Sequence, residues 1–251
     1  MKAKLIRKQN RSGFTLIELM VVIAIIAAIA GVAYPIVLNQ RNAGDRNVAQ
    51  SNLTNLHKTL MSFSNDYGAY PCDTLAERFL EDEKNNDIDY GPITGNTSNC
   101  YLRQLFYLNA VESEENFYAK INGLGRMSRQ PDNKIAKGHA LEKGECGFAY
   151  VMTKSDEEGA DVKGSVTAMN APLLMTSVAG RAPMSGGDVV FDGESFQMYA
   201  LVLFNDGSVK TKELTSDPSD DRKGRLKDLF PENKKTGVSQ ADRYVVLPPD
   251  L

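Results

Sequence analysis

From Phe14 to Leu38 the chain is apolar at nearly every position and carries a single charged residue, Glu18. An α-helix needs about 20 such residues to cross the hydrocarbon core of a bilayer. A soluble helix of this length would show a polar stripe, and this run shows none. Past it the chain turns mostly polar, as "NQRNAGDRNVAQSN", and then Ala49, Leu53, Leu56, Leu60, Phe63 and Tyr67 recur at steps of four, three, four, three and four. Those steps lay one apolar stripe along a helix. Pro35 removes a backbone donor and is expected to bend or loosen the helix. Gly44 weakens it a little, and Asp66-Tyr67-Gly68 supplies a stop. The pattern therefore predicts one long helix from Phe14 to about Asp66. Residues 14–38 form its membrane or assembly half. Residues 39–66 carry the stripe under a globular head, residues 67–251, and residues 1–13 precede the helix.

In the head, "GAYPCDT" reads as a turn, and "LAERFLEDE" and "NCYLRQLFYLNAV" have helical spacing, the second with Asn99 as candidate cap. Short β runs follow: "CGFAYVMT", "APLLMTSVA", "GDVVFDG" and "FQMYALVLFNDGSVKTKEL". The last reads as a hairpin turning at Asp206-Gly207. Helices followed by antiparallel strands predict an α+β arrangement. The final stretch from Ser216 reads as a polar, charged tail, with Asp217, Asp220 and Asp221 clustered in a loop.

Charge adds a direction to this picture. The net charge is −3, yet residues 1–13 hold Lys2, Lys4, Arg7, Lys8 and Arg11 and no acid, so the remainder is more acidic than the whole. An acidic body argues against nonspecific binding to nucleic acid or anionic lipid surfaces. Basic residues beside an apolar segment stay cytoplasmic, which puts the body outside. There, Cys72, Cys100 and Cys146 could form one disulfide and leave one thiol over. The shortest loop favours Cys72–Cys100, with Cys100–Cys146 the alternative and three buried free thiols a third reading.

Glu18 needs its own explanation. An acid near the centre of a membrane helix costs roughly 2.5–3.5 kcal/mol to insert. A plain signal anchor gains nothing from it. Nor does a cleaved signal peptide, although Ala28-Ile29-Ala30 before Gly31 fits a small-x-small cleavage site. Cleavage after Gly13 supplies a reason. It creates a new amine at Phe14, one helical turn from Glu18, and that amine and a carboxylate could neutralise each other in an apolar assembly. The simpler reading places Glu18 at the headgroup level, since it lies near the segment's end.

The string "GFTLIELMVVIAIIAAIA", with the short basic leader before it, resembles the class III leader junction of type IV pilins and type II secretion pseudopilins. The resemblance covers about residues 7–40. It implies that a prepilin peptidase cuts after Gly13 and methylates Phe14, that Glu18 supports assembly, and that Pro35 bends the helix. It implies a pilin-like fold, a long N-terminal helix packed against an antiparallel β-sheet. The partners implied are other pilin or pseudopilin subunits, the peptidase, an inner-membrane assembly platform and the membrane itself. The placement implied is a single inner-membrane pass, N-terminus cytoplasmic and head periplasmic, with a fibre after assembly. The "NLTNL" step and the late "DGSVK" hairpin are similar, more loosely, to pseudopilins. Some pseudopilins bind calcium near the C-terminus, which bears on Asp217, Asp220 and Asp221. Their spacing matches no EF-hand loop, and a solvated acidic loop is the preferred reading.

A search for chemistry finds no phosphate-cradling G-x-x-x-x-G-K-[ST], no H-E-x-x-H and no G-x-S-x-G. His57 lies beside the helical stripe without a partner at ligand spacing, and His139 sits in a Gly/Lys-rich loop without a nucleophile. The expectation is a structural subunit with no cofactor and no catalytic role. The competing expectations are a membrane-anchored or secreted adhesion or binding protein that never polymerises, and a tethered enzyme, for which no signature is present.

Overall fold

The predicted long helix is present as α1, Leu16–Tyr67. Gly68 follows it with φ +84°, its N–H donating to the Ser64 carbonyl at 2.8 Å, the left-handed stop that glycine permits. The computed structural model describes residues 14–81, 90–107, 110–135, 138–154, 162–176, 178–230 and 240–251, the side chains of residues 35–39 excepted. Gly13 and the basic leader lie outside them, as does the side chain of Pro35. The chain divides into two compact units between Arg41 and Asn42.

In the first unit, the 19 residues Leu16–Tyr34 are long and apolar enough to cross a membrane, by length and composition, and none of the most apolar window is buried.

In the second unit, Ala49, Leu53, Leu56, Leu60 and Phe63 are fully buried and Tyr67 is half-buried, so the stripe read from the sequence is the face of α1 in the head core. Asn52 beside it donates to the Glu115 and Tyr118 carbonyls at 3.2 and 2.8 Å. α2 (Asp73–Glu81) buries Leu75, Ala76 and Phe79, and the Phe79 ring meets Phe63 and Tyr67 edge-on at 6.4 and 5.8 Å. The second expected helix is two short ones, α3 (Ser98–Leu102) and α4 (Gln104–Tyr107). Asn99 is not its cap; Thr97 occupies that position. Asn99 is buried within α3, donating to the Leu141 and Glu142 carbonyls and accepting from the Asp250 N–H.

The strands among the described residues are β1 (Asn122–Gly123), β2 (Arg126–Met127), β3 (Phe148–Lys154), β4 (Lys163–Gly164), β5 (Pro172–Thr176), β6 (Met184–Ser185), β7 (Phe191–Asp192), β8 (Tyr199–Phe204), β9 (Val209–Glu213), β10 (Thr215–Asp217), β11 (Asp220–Arg225) and β12 (Tyr244–Leu247). The main sheet runs β6-β12-β3-β5-β8-β9, with β4 on the end of β3, and every pairing in it is antiparallel. Successive residues of a strand point to opposite faces. Because β5 and β12 are buried at every position and β3 at all but its last two, the sheet centre is covered on both sides. The α+β expectation holds.

The β8–β9 hairpin forms where Asp206-Gly207 predicts it. Gly207 adopts φ +84°, its N–H donating to the Phe204 carbonyl at 2.9 Å. "GDVVFDG" gives less than expected, one short helical turn at Gly186–Asp188 and the two-residue β7.

Two features of the final stretch correct the reading of a polar tail. Asp217 and Asp220 belong to a hairpin, β10 with β11, that also pairs with β7. And β12, at its far end, is an internal strand between β6 and β3.

The disulfide expected between Cys72 and Cys100, or between Cys100 and Cys146, does not form: all three are buried free thiols. Each faces different company. Cys100 Sγ lies 3.3 Å from the Thr97 hydroxyl, and Cys146 Sγ donates to the Phe148 carbonyl at 3.5 Å. Cys72 has its backbone N–H and carbonyl bonded to the Gln104 side chain. Burial pushes the Cys146 thiol up to about 11. Its neutral form is the one the fold accommodates, so that contribution to stability is whole below about pH 9 and is lost as pH rises through 11. We expect a thiol reagent at pH 8 to label none of the three in the native protein and all three in denaturant. Rapid native labelling, or fewer than three in denaturant without reductant, would contradict the arrangement.

Candidate functional site

Of the residues expected to carry processing and assembly, Phe14 and Glu18 lie at the start of α1 among the described residues. Phe14 and Leu16 are 79% and 80% exposed. Thr15 and Glu18 are bound to each other. The Thr15 N–H and hydroxyl both donate to Glu18 Oε2 at 2.8 Å, and the Glu18 N–H is directed at Thr15 Oγ1 at 3.3 Å. This reciprocal arrangement is a capping box, in which a threonine before the first turn and a glutamate three residues on satisfy each other's backbone donors. The T-x-x-E signal for it stands in the sequence as Thr15-Leu16-Ile17-Glu18, and the reading of Glu18 as an isolated acid passed over it.

The capping box gives Glu18 a local duty that a membrane acid otherwise lacks: it starts the helix. It does not exhaust the carboxylate. Both side-chain bonds fall on Oε2, and an ionised carboxylate has about four acceptor sites. An amine created at Phe14 would lie one residue from Thr15 and four residues before Glu18.

The other candidates fare differently. Asp217 is buried, its Oδ1 accepting from the Ser219 N–H and hydroxyl, its Oδ2 from Arg225 Nε at 2.8 Å. Those Ser219 bonds, and then Arg225, hold its carboxyl well below the usual carboxylate range. Asp220 is paired with Arg222 and Lys223, and the Arg222 bond first of all brings its carboxyl down to about 2. Two of the three acids thus already have cations, which explains their clustering without calcium. His139 pairs with Glu142. His57 packs against the hairpin turn, where a side chain at Gly207 would meet its ring at 2.8 Å, and its Nε2 is buried without a hydrogen-bond partner.

Residues 8–34 match the family described as the prokaryotic N-terminal methylation motif. The chain carries a prepilin-type methylation motif. The matched span contains Gly13, Phe14, Thr15 and Glu18 and closes at the end of the exposed apolar segment. The chain is also similar to type II secretion system core protein G of Klebsiella michiganensis, 34% identical over 65 residues, which is 26% of this chain and 46% of that protein. It therefore spans less than half the length of that relative. No solved structure matches the chain. The methylation motif and the pseudopilin relative together support the pilin and pseudopilin family, and the apolar helix beside the motif supports anchoring in a membrane.

Proposed function

We propose that this protein is a pilin-like structural subunit, cut after Gly13 by a prepilin peptidase, methylated on Phe14 and polymerised through α1 into a type IV pilus or a type II secretion pseudopilus. The leader faces the cytoplasm and the head the periplasm before assembly. The observation that carries the reading is the methylation motif lying directly on an exposed apolar helix whose first turn holds Glu18, with Phe14 just before it. An exposed apolar segment of this length is not stable in water. A bilayer shelters them before assembly, and the same helices of neighbouring subunits shelter them afterwards. Glu18 then neutralises an amine in that apolar setting, and the head sets the surface chemistry of the fibre.

N-terminal mass spectrometry of the protein from its native membrane tests this. A chain beginning at N-methylated Phe14 is expected. A chain beginning at Met1, or at Gly31 after signal-peptide cleavage, refutes it.

A further inference from the structure

Three carboxylates from segments distant in sequence converge in the head. Glu114, Asp132 and Glu145 each present an oxygen, and these oxygens lie within 4.8 Å of one another. Glu114 and Glu145 are fully buried, and Asp132 closes the cluster from the surface. Glu145 is well supplied with donors: Oε1 accepts from Arg129 Nη2 at 3.0 Å and Oε2 from the Glu142 N–H at 2.7 Å. Asp132 is paired with Lys134 at 2.7 Å. Glu114 is not so provided. Its Oε1 accepts from the Leu141 N–H at 2.6 Å, while Oε2 is buried with no hydrogen-bond partner. Among the described residues no lysine, arginine or histidine forms an ion pair with it. A buried carboxylate oxygen left without a donor or a cation is costly, and native structures leave few such atoms unexplained.

We propose that Glu114, Asp132 and Glu145 hold a calcium ion. Oxygens sharing one calcium at 2.3–2.6 Å stand at most about 5 Å apart, and this trio meets that bound. The donors are all hard oxygens, with no histidine or cysteine among them, which favours calcium over zinc and copper. Calcium tolerates an irregular shell completed by water, whereas magnesium demands a near-ideal octahedron. The site lies apart in sequence from Asp217, Asp220 and Asp221.

Its place in the head gives the ion a task. Glu114 opens the segment whose Glu115 and Tyr118 carbonyls receive Asn52 of α1. Asn133, beside Asp132, accepts the Glu114 N–H at 2.8 Å. Asn133 and Leu141 both hold left-handed backbone conformations, φ 55° and 46°, which cost energy in residues other than glycine. A cation bridging residues 114, 132 and 145 offsets that cost and ties residues 129–135 and 138–145 to the segment that grips α1.

The test uses the full chain in detergent micelles, stripped with chelator and checked by elemental analysis. Calcium chloride is then titrated by calorimetry and during thermal unfolding. One calcium per chain is expected, with the unfolding midpoint rising by roughly 5–10 °C at a hundredfold excess over Kd, and a smaller response to magnesium. Glu114→Gln retains an oxygen for the Leu141 N–H, and Asp132→Asn lies at the surface, so both should fold. Each should bind calcium at least tenfold more weakly and lose most of the shift. No binding by the wild-type chain up to about 10 mM calcium, above the range of weak extracellular calcium modules, would overturn the proposal. So would an unchanged shift in both variants. A wild-type chain indifferent to calcium whose Glu114→Gln variant melts higher would identify a protonated carboxyl at Glu114, and that result also overturns it.

Discussion

Glu18→Gln is expected to yield a subunit that is cut after Gly13 and kept in the membrane, but that is at least a hundredfold depleted from fibres. Glutamine fills the same place in a capping box as glutamate, so the helix start anchored on Thr15 survives the change. What is lost is the negative charge. Removing one partner of a buried ion pair leaves the other uncompensated, at about 3–5 kcal/mol, and 1.4 kcal/mol is tenfold in an equilibrium. Glu18→Ala removes charge and cap together and should assemble no better. Thr15→Ala removes the threonine half of the cap alone, a change of about 0.5–2 kcal/mol, and should reduce assembly far less. The readout is the sheared fibre fraction, beside mass spectrometry of processed subunit in the membrane. If Glu18→Gln assembles normally while Glu18→Ala and Thr15→Ala both fail, the carboxylate acts as a helix cap and the charge-neutralising role is wrong.

Deleting residues 240–251 should abolish cooperative folding of the head. This removes β12 from between β6 and β3, leaving β6 without its strand partner and one side of β3 bare. Tyr244, Val245, Val246 and Leu247 are all buried. At about 1.5–3 kcal/mol for each buried large apolar side chain, their loss is comparable with the whole stability of an ordinary domain. The deletion also takes the Pro248 carbonyl from the Ser98 N–H and the Asp250 carbonyl from the Gly144 N–H. Val246→Asp puts an unpaired charge at the same fully buried place and should act alike. Circular dichroism during heating measures both. A truncated chain that melts cooperatively at the wild-type midpoint would show that β12 contributes nothing essential.

That strand marks where the sequence ceases to be legible. "YVVL" is a strand-like run, but four residues amid charged and proline-rich flanks do not announce an internal strand, because what makes them internal is pairing with residues nearly a hundred positions earlier. The helical stripe from Ala49 to Phe63 and the Asp206-Gly207 turn were legible for the opposite reason: each is a local pattern with a local cause. Asn99 looked like a cap by its neighbours, yet its partners are Leu141, Glu142 and Asp250. Cysteine spacing likewise contained nothing about which thiols would meet. At the candidate site, the proposed cut, the proposed methylation position and Glu18 stand out as one motif because they lie on six consecutive residues, and Thr15 lies among them. The Glu114, Asp132 and Glu145 trio could not, since only the folded chain assembles it.

The main sheet ends on β9, whose outer side has no strand partner among the described residues. A bare edge is a template for another chain, and a fibre of the kind proposed would hold many identical heads side by side for its whole lifetime. β9 reads Val-Lys-Thr-Lys-Glu, with the Lys210 and Lys212 ammonium groups 4.8 and 5.6 Å from the Phe204 ring centroid, and the opposite edge, β6, is only two residues long. Two copies of β9 brought edge to edge would set lysine near lysine. Crowded heads would therefore repel at the longer bare edge of the main sheet, a place where they could fuse irreversibly, so such a fibre could be dismantled and its subunits returned to the membrane intact.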